Sequence, residues 1–320
     1  MMKVLVCGLN YGLNYVHAAM ALESVEVVGA LTRGSDRSRA LARRYDLPLY
    51  TELATAIHRT RPDAAVLAVP PSQLRPLGES LLAAGVHILC EHPVDATVLA
   101  RLQRAAAEHG LIADVAEHFS SVEPPRLFLH NAMAHGLPLF AQMTFHSRLT
   151  WSTAELLSLA FASRPTLDVA LLGPPMLASD GHYRVLPLRL ASSPVPVTGL
   201  AYAPMDRVVD RADKPVRHRM SFVYPWGSLI LGDTFGPFQT LGAAYGSAPA
   251  PDLHCDASTG DAVGALRRAA NRRILEQLVA RVDEPGSTRE ARRRRQHWIA
   301  ELDHALQRTI GEALAAAVGR

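Results

Sequence analysis

Cysteine is scarce in this chain of 320 residues: there are three, Cys7, Cys90 and Cys255. They are odd in number, far apart and form no Cys-x-x-Cys pair. That excludes a disulfide framework and a zinc ribbon, and suits a reducing cytoplasm. Long apolar runs are missing too. No stretch approaches the roughly 18 uncharged residues of a membrane span. The start, MMKVLVCG, has one lysine and an apolar run too short for a signal-peptide core. The charge balance is slight, formally +3. The two basic runs, 37–44 and 289–295, fall in helical patterns where solvated helix faces account for them, so nucleic acid is not an expected partner. No metal is expected either. His130 and His135 do not share a helix face, and His254-Cys255-Asp256 has no partner motif. No Ser-His-Asp arrangement with a nucleophile elbow is visible. Internal repeats and low-complexity linkers are absent.

What is present is an ordinary globular composition, 48% apolar and 20% charged, at a length that suits two domains. Residues 1–118 alternate. Strands are expected over 3–7, 25–31, 49–50, 63–69, 87–90 and 112–115, with helices over 14–22, 37–45, 53–59, 73–84 and 94–110. Continuous apolar strands separated by helices imply a parallel sheet covered on both faces, hence a doubly wound Rossmann domain. From 119 to 320 the rhythm changes. Helices are expected over 119–134, 152–172, 262–280 and 289–318. Strands are expected over 141–149, 183–190, 197–202, 216–224 and 228–233. This reads as an α+β domain with an open, mainly antiparallel sheet.

The first strand runs into Gly8-Leu9-Asn10-Tyr11-Gly12. A strand-to-helix turn that brings backbone close to a pyrophosphate needs glycine, which has no side chain in the way. The usual pattern is GxGxxG; here Asn10 stands at its second glycine. A chain that binds NAD places an acid at the tip of strand two for the ribose 2′-hydroxyl. Here the tip reads Thr32-Arg33-Gly34-Ser35-Asp36-Arg37-Ser38, with hydroxyls and guanidiniums instead. That set is fit for a 2′-phosphate and points to NADPH/NADP+. Ser35 also suits the N-cap of the next helix. Val69-Pro70 closes the fourth strand beside the expected cofactor, and Glu91-His92-Pro93 ends the fifth at the edge where such sheets bind ligands.

The arrangement resembles the glucose–fructose oxidoreductase / inositol dehydrogenase (Gfo/Idh/MocA) family. That family carries Glu-Lys-Pro at the end of the fifth strand, and its lysine takes part in proton transfer and substrate binding. In this chain the lysine is replaced by His92. The chain is more similar to one branch, the thiazolinyl imide reductases of siderophore assembly lines. Four stretches carry the likeness. They are Val4-Leu5-Val6-Cys7-Gly8 with Gly12 and Tyr15; Gly34-Ser35-Asp36-Arg37-Ser38 with Leu41-Ala42; Glu91-His92-Pro93; and Gly227-Ser228-Leu229 running to Thr234-Phe235-Gly236-Pro237. The final region around Trp298 has the same look, whereas about 180–215 does not match.

The resemblance implies NADPH-dependent reduction of a thiazoline-type C=N in siderophore or related nonribosomal peptide biosynthesis. It also implies a peptidyl carrier protein as partner and a homodimer. Such a reduction needs hydride at carbon and a proton at nitrogen, and a histidine titrating near neutrality suits the second task. His92 and His118 are the candidates, with Glu91 expected to hold the turn. The branch has a tyrosine, a proton donor, at the position of Phe119, and phenylalanine has no proton to give. Phe119 and Asp168 are the candidate substrate contacts. Asp168 stands among Leu167, Val169 and Ala170, where an unpaired carboxylate would be costly; it could equally face solvent or cap a helix. Two other readings stay open: a related oxidoreductase acting on a sugar or carbonyl compound, and a non-catalytic NADPH-binding component of an assembly line.

Overall fold

A computed structural model describes residues 1–161, 166–179, 181–191, 194–205, 217–242 and 260–318. Arg164 and Pro165, the start of the strand expected over 216–224, and His254-Cys255-Asp256 lie outside the described residues. The chain divides into two compact units. The first comprises Met1–His118 with Arg267–Ala300; the second comprises Phe119–Leu266 with Glu301–Arg320.

In the first unit the strands are β1 (Met2–Cys7), β2 (Val25–Leu31), β3 (Leu49–Tyr50), β4 (Ala64–Leu67), β5 (His87–Cys90) and β6 (Ala113–Val115). All pairs are parallel, in the order β3-β2-β1-β4-β5-β6. The order reverses between β1 and β4, which makes that edge the switch point where open α/β sheets bind ligands. Helices α1 (Leu13–Ala19), α2 (Asp36–Arg44), α3 (Leu53–Thr60), α4 (Pro71–Ala83) and α5 (Ala96–Glu108) connect the strands. Burial explains the apolar runs: Val4, Leu5, Val6, Ala64, Ala65 and Val66 are buried in the middle of the sheet. β4 stops two residues short of Val69, because the chain leaves the ladder ahead of Pro70, which has no N–H to donate.

The second domain was expected to hold all of 119–320. The structure corrects this. Part of α9 (Gly260–Arg281) and part of α10 (Gly286–Val318) belong to the first unit. Ile274, Leu275 and Leu278 share one core with Val4, Val16 and Val66. Asp114 takes Arg281 at 3.1 Å and Arg292 at 2.8 Å. Arg295 pairs with Glu117, and Gln296 accepts from Gln103 at 3.0 Å. Helical periodicity tells which face is apolar but not which sheet receives it.

The second unit holds α6 (His118–Ser121) from Phe119 onward, α7 (Glu123–His135), α8 (Thr150–Ala160) and an eight-stranded sheet. Its strands are β7 (Phe140–His146), β8 (Leu167–Leu171), β9 (Met176–Leu177), β10 (Tyr183–Ala191), β11 (Val197–Pro204), β12 (His218–Tyr224), β13 (Gly227–Leu231) and β14 (Phe238–Gly242). The order is β14-β13-β12-β7-β11-β10-β8, with β9 on β10. Among the described residues only β7 and β11 run parallel, so the sheet is mainly antiparallel. Alternation along β7 and β12 buries Ala141, Met143, Phe145, Met220, Phe222 and Tyr224 on one face.

The expected helix 119–134 is two helices. Val122 is extended (φ −70°, ψ 140°) before a helix that carries proline in its first turn. The helix expected over 152–172 ends at Ala160, and Leu167–Leu171 pairs with β10 instead. β9 and β14 were not expected. Among the described residues no helix is long and apolar enough to cross a membrane, and no cluster of metal ligands occurs.

Candidate active site

β1 delivers the chain to Gly8, which has φ +89°. A Cβ there would stand 2.3 Å from the Ala68 carbonyl oxygen, and one on Gly12 would stand 2.0 Å from the Gly8 oxygen. Both positions therefore require glycine, and the backbone is left bare where a pyrophosphate would lie. Beside this turn opens a cleft of about 1300 Å³. Gly8, Asn10, Tyr11, Thr32, Arg33, Gly34, Ser35, Arg37, Ser38, Val69, Pro70, Glu91 and His92 line it. Of the expected cofactor residues Gly12 alone does not; it braces the turn from beneath. Thr51, Ser72, Gln73 and a second carboxylate, Glu52, line it too. No motif marks these four.

The tip of β2 divides its labour. Gly34 has φ +74°, and its N–H donates to Thr32 Oγ1 at 3.0 Å. Ser35 Oγ accepts from the Ser38 N–H at 3.2 Å, capping α2. Thr32 and Ser35 thus shape the loop. Arg33 and Arg37, both exposed, are left as the cationic groups of the cleft wall. The bare glycine turn and the cleft fit an adenine dinucleotide.

At the other end of the cleft β5 delivers Glu91 and His92. Tyr15 Oη donates to Glu91 Oε2 at 2.5 Å, and Glu91 Oε1 lies 3.2 Å from His92 Nδ1. The His92 ring stacks on that of His118, with centroids 6.5 Å apart and planes at 27°. His118 is 4% exposed. Its Nδ1 is 3.3 Å from Asn271 Oδ1 and 3.4 Å from Tyr11 Oη. Burial, helped by the neighbouring His92, pushes the His118 pKa down to about 4, against the opposing pull of Glu91 and Asn271. His118 is therefore neutral at neutral pH. Cys7 and Cys90 lie just beneath, and burial pushes both thiols up to about 12, so neither is a nucleophile.

The structure thus brings together Tyr11, Glu91, His92 and His118, and adds Tyr15 and Asn271. Phe119 and Asp168 belong to the second unit. The Phe119 ring meets His218 edge-on at 4.9 Å. His218 in turn is held by Ser152 Oγ at Nε2 and Thr234 Oγ1 at Nδ1, each at 2.9 Å. Asp168 lies on a strand and not on a helix, and its carboxylate meets Arg189 on β10 at 2.7 Å.

Residues 2–117 match the model of the GFO_IDH_MocA oxidoreductase family, NAD-binding Rossmann fold. The N-terminal domain resembles that of the Gfo/Idh/MocA oxidoreductases. No curated protein matches the chain. Solved structures of similar fold span its whole length. A dehydrogenase from Chromobacterium violaceum has a TM-score of 0.75 at 16% identity, covering 100% of this chain and 98% of that one. GenD2 from gentamicin A biosynthesis, in complex with NAD, has a TM-score of 0.70 at 17% identity, covering 100% and 95%. KijD10, a 3-ketoreductase from Actinomadura kijaniata in complex with NADP, has a TM-score of 0.66 at 17% identity, covering 95% and 96%. At such identities the likeness is one of fold. The shared fold is a Rossmann domain together with an α+β domain.

Proposed function

We propose that this oxidoreductase uses NADPH to reduce a cyclic imine, a thiazoline-type C=N carried by a peptidyl carrier protein of a nonribosomal peptide assembly line such as one making a siderophore. The observation that carries the reading is His92 at the cleft corner, 3.2 Å from the Glu91 carboxylate, where the wider family has lysine. A bound nicotinamide supplies the hydride. The remaining work falls to the chain. The Gly8–Gly12 turn receives the pyrophosphate, and Arg33, Arg37 and Ser38 hold the 2′-phosphate. His92 protonates the imine nitrogen, a task suited to a group that exchanges its proton near neutrality. His118, neutral and buried, packs beneath it. In the same reading the protein is a cytoplasmic homodimer.

NADPH oxidation with a thiazolinyl thioester, free and carrier-bound, tests this. Turnover with both, faster on the carrier, is expected. Turnover confined to sugar substrates would overturn it.

A second reading has support from the structural neighbours, since KijD10 is described as a 3-ketoreductase. In that reading His92 protonates a carbonyl oxygen of a sugar. Nucleotide-linked ketosugars, assayed alongside the thioester, separate the two.

A further inference from the structure

The tip of β2 carries no acid beside the cleft, yet an acid stands next to it. β3 pairs with β2, Leu31 opposite Tyr50, and the Thr32 N–H donates to the Tyr50 carbonyl at 2.9 Å. The chain leaving β3 therefore runs along the chain leaving β2. A Cβ on Gly34 would stand 2.9 Å from Thr51 Cγ2, so the two segments touch. The next residue is Glu52, and it lines the same cleft as Thr32, Arg33 and Arg37. Glu52 occupies the N-cap of α3, where a short polar side chain would satisfy a free N–H. Its side chain makes no such bond. Among the described residues the carboxylate has neither hydrogen bond nor ion pair, although two arginines share its wall. The dipole of α3 favours an acid at this position, but only weakly for an exposed side chain. Capping and pairing thus leave the carboxylate unexplained.

We propose that Glu52 is a specificity-determining residue for the cofactor: it accepts a hydrogen bond from the adenosine 2′-hydroxyl. That task ordinarily falls to an acid at the end of β2. Here the acid comes from the neighbouring strand, and the end of β2 is left to Arg33 and Arg37. A carboxylate accepts from a hydroxyl and repels a phosphate; a guanidinium attracts the phosphate. The two cofactors then meet one wall through different residues. NADH is held there by Glu52. NADPH is held by the arginines, with Glu52 opposing them. The preference between the two cofactors is the difference of these contributions, so a single side chain on β3's exit weakens it. The inference rests on the reading of Arg33 and Arg37 as the phosphate site for its NADPH half only; its NADH half concerns the hydroxyl and Glu52 alone.

The test is calorimetric titration of the full-length protein, as wild type, Glu52→Ala and Arg33→Ala. The probes are NADH, NADPH and an NADH analogue lacking the adenosine 2′-hydroxyl. It reads binding and needs no turnover. The wild type should bind the 2′-deoxy analogue about 10-fold or more weakly than NADH, the worth of a hydrogen bond to a charged acceptor. Glu52→Ala should bind NADH and the analogue alike, because the acceptor is gone from both complexes. The same variant should bind NADPH about 3- to 10-fold more tightly, since a like charge has left the wall. Thermal unfolding without cofactor, read alongside, should match the wild type, as Glu52 is exposed and caps nothing. If Glu52→Ala keeps the wild-type ratio of NADH to the analogue, or if the wild type shows no such ratio, the role of Glu52 is overturned. Arg33→Ala reads the other half. If it leaves NADPH binding unchanged while Glu52→Ala loses the 2′-hydroxyl discrimination, the phosphate site is misplaced and the role of Glu52 stands.

Discussion

His118 and His92 stack with ring centroids 6.5 Å apart, and one of them cannot take up a proton at neutral pH. Burial and the neighbouring His92 lower the His118 pKa from 6.5 to about 4. Its folded pKa is depressed, so the unfolded chain binds the extra proton. The stability tied to neutral His118 is present above pH 6.5 and is lost as pH falls toward about 4. Across that window the loss amounts to roughly 3 kcal/mol. Urea unfolding at several pH values should show it, and His118→Gln should remove most of it. Equal acid sensitivity in the variant would mean that His118 is not the buried neutral group.

The basic tip of β2 yields a prediction about cofactor choice. Thr32 and Ser35 are spent on the loop, through the Gly34 and Ser38 N–H groups. In the proposed reading the charge that discriminates for NADPH comes from Arg33 and Arg37. NADPH should bind far more tightly than NADH. Arg33→Ala and Arg37→Ala should each weaken NADPH about 10- to 100-fold, the worth of a charged hydrogen bond, and leave NADH nearly untouched. Titration of intrinsic fluorescence with each cofactor measures this. Equal wild-type affinities would overturn the preference for NADPH and leave the fold untouched.

Much of the first unit was legible because its strands are apolar on both faces and its turns carry their own chemistry. Gly8, Gly12 and the tip 32–38 are local features, readable wherever they stand. The parts that were not legible are non-local. Tyr15 reaches Glu91 across 76 positions, and Gln103 reaches Gln296 across 193, with no spacing rule to announce either. Leu167–Leu171 is a five-residue apolar run, too short for periodicity to separate strand from helix, and its register on β10 decides it. Asp168 became explicable only with that strand, which sets it against Arg189.

The glycine turn can be tested by contrast. Gly8 and Gly85 both have positive φ, +89° and +80°, but a Cβ on Gly85 meets nothing within 4 Å. Gly85→Ala should cost only the backbone strain, about 1 kcal/mol. Gly8→Ala adds a collision with the Ala68 carbonyl and should cost roughly 2–5 kcal/mol. Gly12→Ala, blocked by the Gly8 oxygen at 2.0 Å, should resemble Gly8→Ala. Both crowded variants should also lose NADPH affinity at least about tenfold, since 1.4 kcal/mol of misfit suffices for that. Thermal unfolding and cofactor titration read the two effects separately.

Residues 267–300 return to the first unit and meet its sheet through a buried ionic network. Asp114 is buried on β6 between Arg281 of α9 and Arg292 of α10, and Arg292 also meets Glu284 at 2.5 Å. Removing the carboxylate leaves two nearly buried guanidiniums short of their shared partner. Asp114→Ala should therefore destabilise the protein by about 3–5 kcal/mol, the usual cost of orphaning a buried charge. Replacing all three side chains together with apolar ones, Asp114→Leu, Arg281→Met and Arg292→Met, should recover part of that loss, because the three buried charges go together and only the half-buried Glu284 gives up a partner. The exposed pair Asp168–Arg189 serves as the control: Asp168→Ala should change stability by less than about 1 kcal/mol. Denaturant unfolding of the three variants orders them. A small effect of Asp114→Ala would mean that the network does not tie residues 267–300 to the parallel sheet.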